Sequence, residues 1–259
     1  MASRDQQRVN YDRIAARYDC ERYRSKELDP DLLDFLAQRG DRDPAEMALL
    51  DIGCGTGSQL VADRAHVTEM RMVGLDLFAG MLRQARLKSN DIHWVQGNGA
   101  CLPFAAASFD LVTSQFSFHH VQDKRAMLSQ VCRVLRPGGR FVMTNICPRE
   151  MRGWAIYRYF PAAWQRDMQD FAPREEIAAW MQAVGFARVR ISLQRFRPEE
   201  DLDALARATR PRVTSQLVAL TDAEYRCGMR QIEQESHRAE TGERTISSEW
   251  CLLRIVGDV

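Results

Sequence analysis

The stretch Leu49-Leu50-Asp51-Ile52-Gly53-Cys54-Gly55-Thr56-Gly57-Ser58 decides how the rest of the chain is read. An apolar run ends at an acid, three glycines follow at alternate positions, and a helix-forming segment begins at Ser58. Glycine suits turns that need unusual backbone angles and places where backbone comes close to a ligand. The stretch therefore predicts a buried strand, a tight turn and a helix, with a nucleotide-like ligand lying over the crest.

Outward from this turn the chain alternates. Strands are expected at Met47–Ile52, Arg71–Asp76, Ile92–Gln96, Phe109–Ser114 and Arg140–Ile146, and helices at Ser58–Ala65, Ala79–Lys88 and Lys124–Leu135. Asp123 is placed to cap the last of these helices, and Arg136-Pro137-Gly138-Gly139 reads as a sharp stop. An amphipathic helix over Pro173–Val184, capped by Gly185, and strands at Ala187–Leu193 and Trp250–Val256 complete the series. Strands alternating with helices at this spacing mean βαβ units and a doubly wound, mostly parallel α/β sheet.

Three segments stand outside the alternation. Residues 1–40 are expected to form a helical lid, with Asp29 capping and Pro30 opening a helix over 29–39. Within residues 1–26, read as helical, Tyr11, Ile14, Tyr18 and Tyr23 either pack on the body or face a cleft. Residues 147–172 are rich in aromatics, and 197–246 are charged and helix-prone over Glu199–Thr209 and Asp222–Ala239. The apolar content of 197–246 is too thin for a core of its own, so 1–259 reads as a single domain. Ligands in open α/β sheets bind beyond the carboxyl ends of the strands. The segments leaving strands five and six are therefore expected on the ligand face.

Composition narrows the function. The net charge of +1, with 36 basic and 35 acidic residues, gives no electrostatic case for nucleic acid or an anionic membrane. Only three basic residues are lysines, Lys26, Lys88 and Lys124. The seven cysteines have no CxxC spacing, which excludes a disulfide framework and suggests a reducing, cytoplasmic setting. No apolar run reaches membrane-spanning length, and the first residues carry no apolar signal core.

The turn could be a dinucleotide fingerprint, but G-x-G-x-x-G needs a small third residue where Ser58 stands. Asp76, 19 residues after Gly57, would suit ribose hydroxyls in either case. Two features tip the balance away from NAD: Asp51, an acid aimed into the site that would repel a pyrophosphate yet pair with a ligand cation, and the G-x-G-x-G spacing, which gives an open cradle without the pyrophosphate geometry.

Leu50-Asp51-Ile52-Gly53-Cys54-Gly55-Thr56-Gly57, Val73-Gly74-Leu75-Asp76, Gly97-Asn98-Gly99-Ala100-Cys101-Leu102-Pro103-Phe104, Ser108-Phe109-Asp110-Leu111-Val112, Phe118-His119-His120-Val121 and Arg133-Val134-Leu135-Arg136-Pro137-Gly138-Gly139 follow one another in order. With them the chain resembles the class I S-adenosylmethionine-dependent methyltransferases across residues 11–195. It is most similar to the small-molecule branch with ubiquinone/menaquinone C-methyltransferases and natural-product methyltransferases. The resemblance implies a seven-stranded Rossmann-like sheet with an antiparallel last strand and helical insertions at the ligand face. It implies S-adenosylmethionine as cofactor and a small-molecule methyl acceptor, for a monomer or homodimer. Asp51, Gly53, Cys54, Gly55 and Gly57 would hold the methionine portion, Asp76 the ribose, and Leu77 and Met81 the adenine. Asn98 stands where the family usually has Asp, Gly99 where it has Ala, and Gln115 would lie near the methionyl group. Tyr18 would approach the cofactor from the lid.

Methyl transfer is an in-line displacement that needs alignment and, for a protonated acceptor, a base, but no metal. His119 and His120 follow strand four, and a histidine takes a proton near neutral pH. In an extended segment only one of them would face the site, His120 being favoured, with Tyr18 or Tyr11 assisting. His66 and His93 read as structural. No Asn/Asp-Pro-Pro-aromatic run follows strand four, as adenine-type nucleobase methylation would need. No carboxylate cluster lies at Thr144-Asn145-Ile146-Cys147 for a metal-dependent catechol type, and Cys147 and Cys227 read as incidental. The alternatives are a cofactor-binding regulatory protein without turnover, an RNA or protein methyltransferase, and an NAD-dependent oxidoreductase.

Overall fold

The computed structural model describes residues 9–20, 26–40, 42–238 and 244–259. Tyr23, residues 1–8 and 21–25 of the expected first helix, and Ala239 lie outside them. The described chain divides into two compact units.

The first unit comprises Asn10–Asn145, Arg174–Ser192 and Leu253–Val259. It opens with single 3₁₀ turns at Tyr11–Arg13 and Ala15–Arg17, where the sequence predicts a longer helix. Helix α1 spans Pro30–Ala37, with Asp29 accepting from the Asp31 N–H as its cap. Strand β1 (Ala48–Ile52) leads into α2 (Ser58–Arg64), then β2 (Arg71–Asp76), α3 (Ala79–Lys88), β3 (His93–Gln96), β4 (Phe109–Gln115), α4 (Lys124–Val134) and β5 (Leu135–Ile146). Asp123 caps α4 through the Ala126 N–H, as expected. Strand β5 begins at Leu135, not Arg140. The Arg136–Gly139 turn sits inside it as an irregularity that shifts its register on β4.

The chain continues through α5 (Ala155–Tyr159), α6 (Pro161–Asp170), α7 (Arg174–Val184), β6 (Arg188–Phe196), β7 (Glu199–Asp201), α8 (Leu202–Thr209), α9 (Ser215–Val218), α10 (Asp222–Arg238), β8 (Thr245–Ser247) and β9 (Trp250–Asp258). The seven-stranded sheet has the order β3-β2-β1-β4-β5-β9-β6. β3, β2, β1, β4 and β5 pair in parallel. Backbone hydrogen bonds pair Gly138 with Val259 and Cys147 with Cys251, so the last strand runs antiparallel to β5. Both features match the expected sheet. Glu199–Asp201, expected as helix, instead pairs antiparallel with β8 in a two-stranded sheet.

β1 is buried along its whole length. Its Leu49 packs in one cluster with Leu60, Met70, Met72, Ile92, Leu111 and Val142, and with Leu32 and Phe35 of α1. At about 1.5–3 kcal/mol per fully buried large apolar side chain, this cluster is the main stabiliser of the unit.

The second unit comprises Ile146–Pro173 and Leu193–Leu252. The two stretches that interrupt the alternation pool their apolar residues here. Phe160, Leu202, Leu205, Leu217, Met229 and Ile232 are buried, and Gly228 lets α10 close on Phe160, where a Cβ would stand 2.3 Å from its ring. Buried Asp167 accepts from the Tyr157 hydroxyl (2.6 Å) and the Gln216 amide (2.9 Å), joining α6 to α5 and α9. No helix among the described residues is long and apolar enough to cross a membrane.

Trp94 of β3 fixes two glycines. A Cβ on Gly74 would lie 2.5 Å from its ring, and one on Gly57, in the left-handed region at φ +74°, would lie 2.4 Å away. Gly57→Ala is therefore expected to cost about 2–4 kcal/mol through clash and strain together. Urea unfolding checks this; a loss below about 0.5 kcal/mol would mean that Trp94 yields freely.

Candidate functional site

Gly53, Gly55 and Gly57 all adopt positive φ, at +76°, +56° and +74°. L-residues rarely take this conformation, which is why the alternation reads G-x-G-x-G. The turn is held on β2: the Gly53 and Cys54 N–H groups both donate to the Leu75 carbonyl, at 2.7 and 3.1 Å. Ser117 closes it from the other side. A Cβ on Gly53 would stand 2.3 Å from the Ser117 Cβ, and the Ser117 hydroxyl donates to the Ile52 carbonyl at 2.7 Å. Around Gly55 no atom of the described residues lies within 4 Å of where a Cβ would be. The middle of the turn thus offers bare backbone to open space. Cys54 contributes through its backbone: its thiol turns toward Gly74, and burial pushes its pKa well up.

Two acids flank the turn. Asp51 is buried at the end of β1 and accepts from the Thr113 hydroxyl of β4 at 3.0 Å. Burial, reinforced by Asp63 and Asp29, pushes its pKa up to about 7, against the pull of Thr113. Asp76 ends β2, with its two carboxylate oxygens accepting from the Gly55 N–H (2.8 Å) and the Phe78 N–H (2.9 Å). Burial raises its pKa and these backbone donors oppose the rise. A carboxylate has about four lone-pair sites, so Asp76 can still accept from two ligand hydroxyls.

Beyond Asp76, Leu77 is 45% exposed and Met81 is buried. Asn98 is exposed, and its side-chain oxygen accepts from the Ala100 N–H at 3.0 Å. This turn fixes the amide and leaves one lone pair and the NH₂ for a ligand. Gly99 backs onto Ile52, where a Cβ would stand at 3.0 Å. Gln115 donates to Asp29 at 2.7 Å and accepts from Lys26 at 3.3 Å.

The histidines differ from the expectation of an extended segment. Phe118–His120 is a 3₁₀ turn, so the two rings lie together, 3.8 Å between centroids, rather than on opposite sides. His119 is buried and hydrogen-bonded to Asn145 at 3.2 Å, and burial holds its pKa well below the usual value, so it is neutral. His120 shares a 2.9 Å hydrogen bond with the Tyr11 hydroxyl. Tyr11 also packs on Phe78, at 5.5 Å, so it reaches from the loop after β2 to the loop after β4, across the turn that follows β1. Tyr18 packs edge-on against Tyr11, at 6.0 Å between ring centroids.

The sequence reading missed the residues that fasten the first described segment over the turn. Asp12 accepts from the Gly80 N–H at 2.5 Å. Asp19 accepts from the Thr56 hydroxyl at 2.7 Å and pairs with Lys88 at 2.6 Å. These are contacts between sequence-distant residues without a local motif. Thr113 and Asp63 were missed for the same reason. Among the described residues no three His, Cys, Asp or Glu converge as a metal-binding set.

Residues 50–143 match a family model described as methyltransferase domain. The demethylmenaquinone methyltransferase of Listeria welshimeri is 31% identical over 172 residues, 55% of this chain and 71% of that protein. The chain belongs to the S-adenosylmethionine-dependent methyltransferase family. The malonyl-[acyl-carrier protein] O-methyltransferase of Methylococcus capsulatus is 28% identical over 197 residues, covering 73% of this chain and 66% of that protein. The demethylmenaquinone methyltransferase of Clavibacter sepedonicus is 32% identical, covering 54% and 66%. The chain thus spans slightly less than two thirds of these last two relatives. In fold it is like the Haemonchus contortus phosphoethanolamine N-methyltransferase 2 bound to phosphomonomethylethanolamine and S-adenosylhomocysteine. That likeness has a TM-score of 0.54 and 17% identity, covering 88% of this chain and 52% of that one.

The family's cofactor is S-adenosylmethionine, and the residues present fit it. Bare backbone at Gly55, a buried acid for an ammonium at Asp51 and a backbone-oriented carboxylate for hydroxyls at Asp76 are what its parts need.

Asp51 has a folded pKa raised above its unfolded value of 3.8. Its contribution to stability is full below about pH 4 and is lost as pH rises through about 7. Asp51→Asn keeps an acceptor for Thr113 and removes the buried charge. Thermal unfolding of ligand-free protein should show the variant more stable than wild type by about 1–3 kcal/mol at pH 8, with the gap narrowing as pH falls toward about 4. Equal stability of the two at pH 8 would contradict the buried-charge assignment.

Proposed function

We propose that this chain transfers a methyl group from S-adenosylmethionine to oxygen, nitrogen or carbon of a small, partly apolar metabolite, without a metal. The observation that carries this reading is the Tyr11–His120 pair lying across the glycine turn. It sets a proton acceptor beside a cradle fitted to the cofactor. When bound, the cofactor supplies a methyl carbon activated by its sulfonium. Asp51 and the Gly53–Gly57 backbone hold the amino-acid end, Asp76 the ribose, and Leu77, Met81 and Asn98 the adenine.

His120 takes the proton of the acceptor's O–H, N–H or acidic C–H. Tyr11 fixes the ring so that one nitrogen faces the acceptor. Neutral His119, held by Asn145, buttresses it. Residues 10–20 form the lid, latched by Asp12 and Asp19. The relatives' names point to different acceptors, demethylmenaquinone and a malonyl-acyl carrier protein, and so support the reaction type more than any one acceptor. The near-neutral charge favours a small molecule over a nucleic acid.

Isotope-labelled S-adenosylmethionine, offered with a panel of quinols, phenols, amines and carboxylic acids, tests the reading through label transfer. Transfer to none of them, with the cofactor bound, would count against an enzyme. On the acceptor found, His120→Ala should lower turnover about 10²–10⁴-fold with S-adenosylhomocysteine affinity nearly unchanged. A full-rate His120→Ala enzyme would remove the base assignment. Asp76→Ala should weaken S-adenosylhomocysteine binding by about 1.5–3 kcal/mol in calorimetry; an unchanged dissociation constant would refute the ribose role.

A further inference from the structure

Where β9 meets the end of β5, two cysteines stand opposite each other. Cys147, the residue after β5, donates its N–H to the Cys251 carbonyl of β9 at 2.9 Å. In an antiparallel pair such a bond joins residues that are directly opposite, with Cα atoms about 5.5 Å apart. Their side chains then share one face, with Cβ atoms about 4.5–5.5 Å apart. Disulfides span Cα separations of about 4.4–6.8 Å, so a small shift brings the two sulfurs to bonding distance. Cys147 can supply that shift, because it stands at the strand end, where a 3₁₀ turn begins at Pro148. Both cysteines are reduced in this structure.

The two thiols differ in access. Cys147 is 7% exposed and Cys251 is 0% exposed, with its thiol turned to the Leu252 carbonyl at 3.7 Å. A small solute therefore meets Cys147 first. Cys54 packs on Gly74 and Cys132 on Gly185, while Cys20, Cys101 and Cys227 are exposed. The pair also has a telling place in the chain. The second unit takes in Ile146–Pro173 and Leu193–Leu252. Cys147 is the second residue of the first stretch, and Cys251 is the last but one of the second. A bond between them closes the unit's chain at both ends. Roughly 100 residues lie between, and closing a loop of that length removes much of the unfolded chain's freedom. Cys147 reads as incidental in the sequence because its partner is so distant.

We propose that Cys147 and Cys251 form an oxidative modification site, which hydrogen peroxide converts to a cross-strand disulfide that clamps the second unit. The Cys147 sulfur attacks one peroxide oxygen, the O–O bond breaks, and a sulfenic acid and one water result. The Cys251 sulfur then attacks the Cys147 sulfur. The S–S bond forms, the S–O bond breaks, and the hydroxide leaves with the Cys251 proton as a second water. Two thiols and one peroxide thus give one disulfide and two waters. A hydrogen-bonded strand pair holds its Cβ atoms farther apart than a relaxed disulfide does, so the bond stays open to reduction by thiols. That suits a bond made and unmade in a reducing compartment, where lasting disulfides are rare.

Hydrogen peroxide treatment of the folded, full wild-type chain tests it, with remaining thiols alkylated at acid pH and peptides mapped by mass spectrometry without reductant. A linked Cys147–Cys251 peptide pair should dominate over every other cysteine pairing, and dithiothreitol should restore both thiols. Dimedone, which traps sulfenic acids, should label Cys147 in Cys251→Ser at least about fivefold more than it labels Cys251 in Cys147→Ser. The bridged protein should unfold at a higher temperature than the same sample after dithiothreitol. Linkage that forms only in urea would show that the folded strands hold the sulfurs apart, and would overturn the proposal. So would peroxide treatment that leaves both thiols intact while Cys20, Cys101 and Cys227 react. Dimedone labelling in the reverse order would overturn the attack at Cys147, and an unchanged unfolding temperature would overturn the clamp.

Discussion

The end of β1 depends on a turn that alternates three left-handed residues within five positions. Side chains there are excluded twice over. The backbone angles disfavour a Cβ, and at Gly53 and Gly57 the space is already filled, by Ser117 and Trp94. Two neighbours of β1 in the sheet meet at this turn: β2 holds it through Leu75, and the loop after β4 closes it through Ser117. Of the three, Gly55 alone has no described residue where its Cβ would be. The same constraint that makes the turn tight leaves one stretch of backbone bare, with Asp51 before it and Asp76 beyond it.

The electrostatics follow from where β1 ends. A strand buried along its length carries its last acid into the interior, and Asp51 has one hydroxyl donor to offset the loss of water. Such a group costs the ligand-free protein stability. Asp76 contrasts with it. Backbone donors preorganise its carboxylate, which leaves an acceptor already aimed. His119 and His120 divide in the same way. Burial keeps one neutral and fixed, while the other is paired with Tyr11.

Much of this was legible in the sequence. The glycine spacing, the βαβ alternation and the acids at strand ends are local patterns, and the sheet follows from them. Caps such as Asp29 and Asp123 were readable because the capping residue and its helix are neighbours. The losses have a common cause. Phe118–His120 coils into a 3₁₀ turn and Asn10–Cys20 breaks into short turns because distant partners hold them: Asn145 and Tyr11 for the first, Gly80, Thr56 and Lys88 for the second. No local period encodes those contacts. The grouping of Ile146–Pro173 with Leu193–Leu252 was hidden for the same reason, since the contacts that join them, such as Phe160 meeting Gly228, are between sequence-distant residues.

The central claim is that the turn after β1 is a cradle for the family's cofactor and not for a dinucleotide. Titrating wild-type protein with S-adenosylhomocysteine and with NADH, in the same calorimeter at pH 7.5 or thereabouts, tests it most directly. The account predicts saturable one-to-one binding of S-adenosylhomocysteine and no heat of binding from NADH, whose pyrophosphate meets Asp51. Saturable binding of NADH with none of S-adenosylhomocysteine would contradict it.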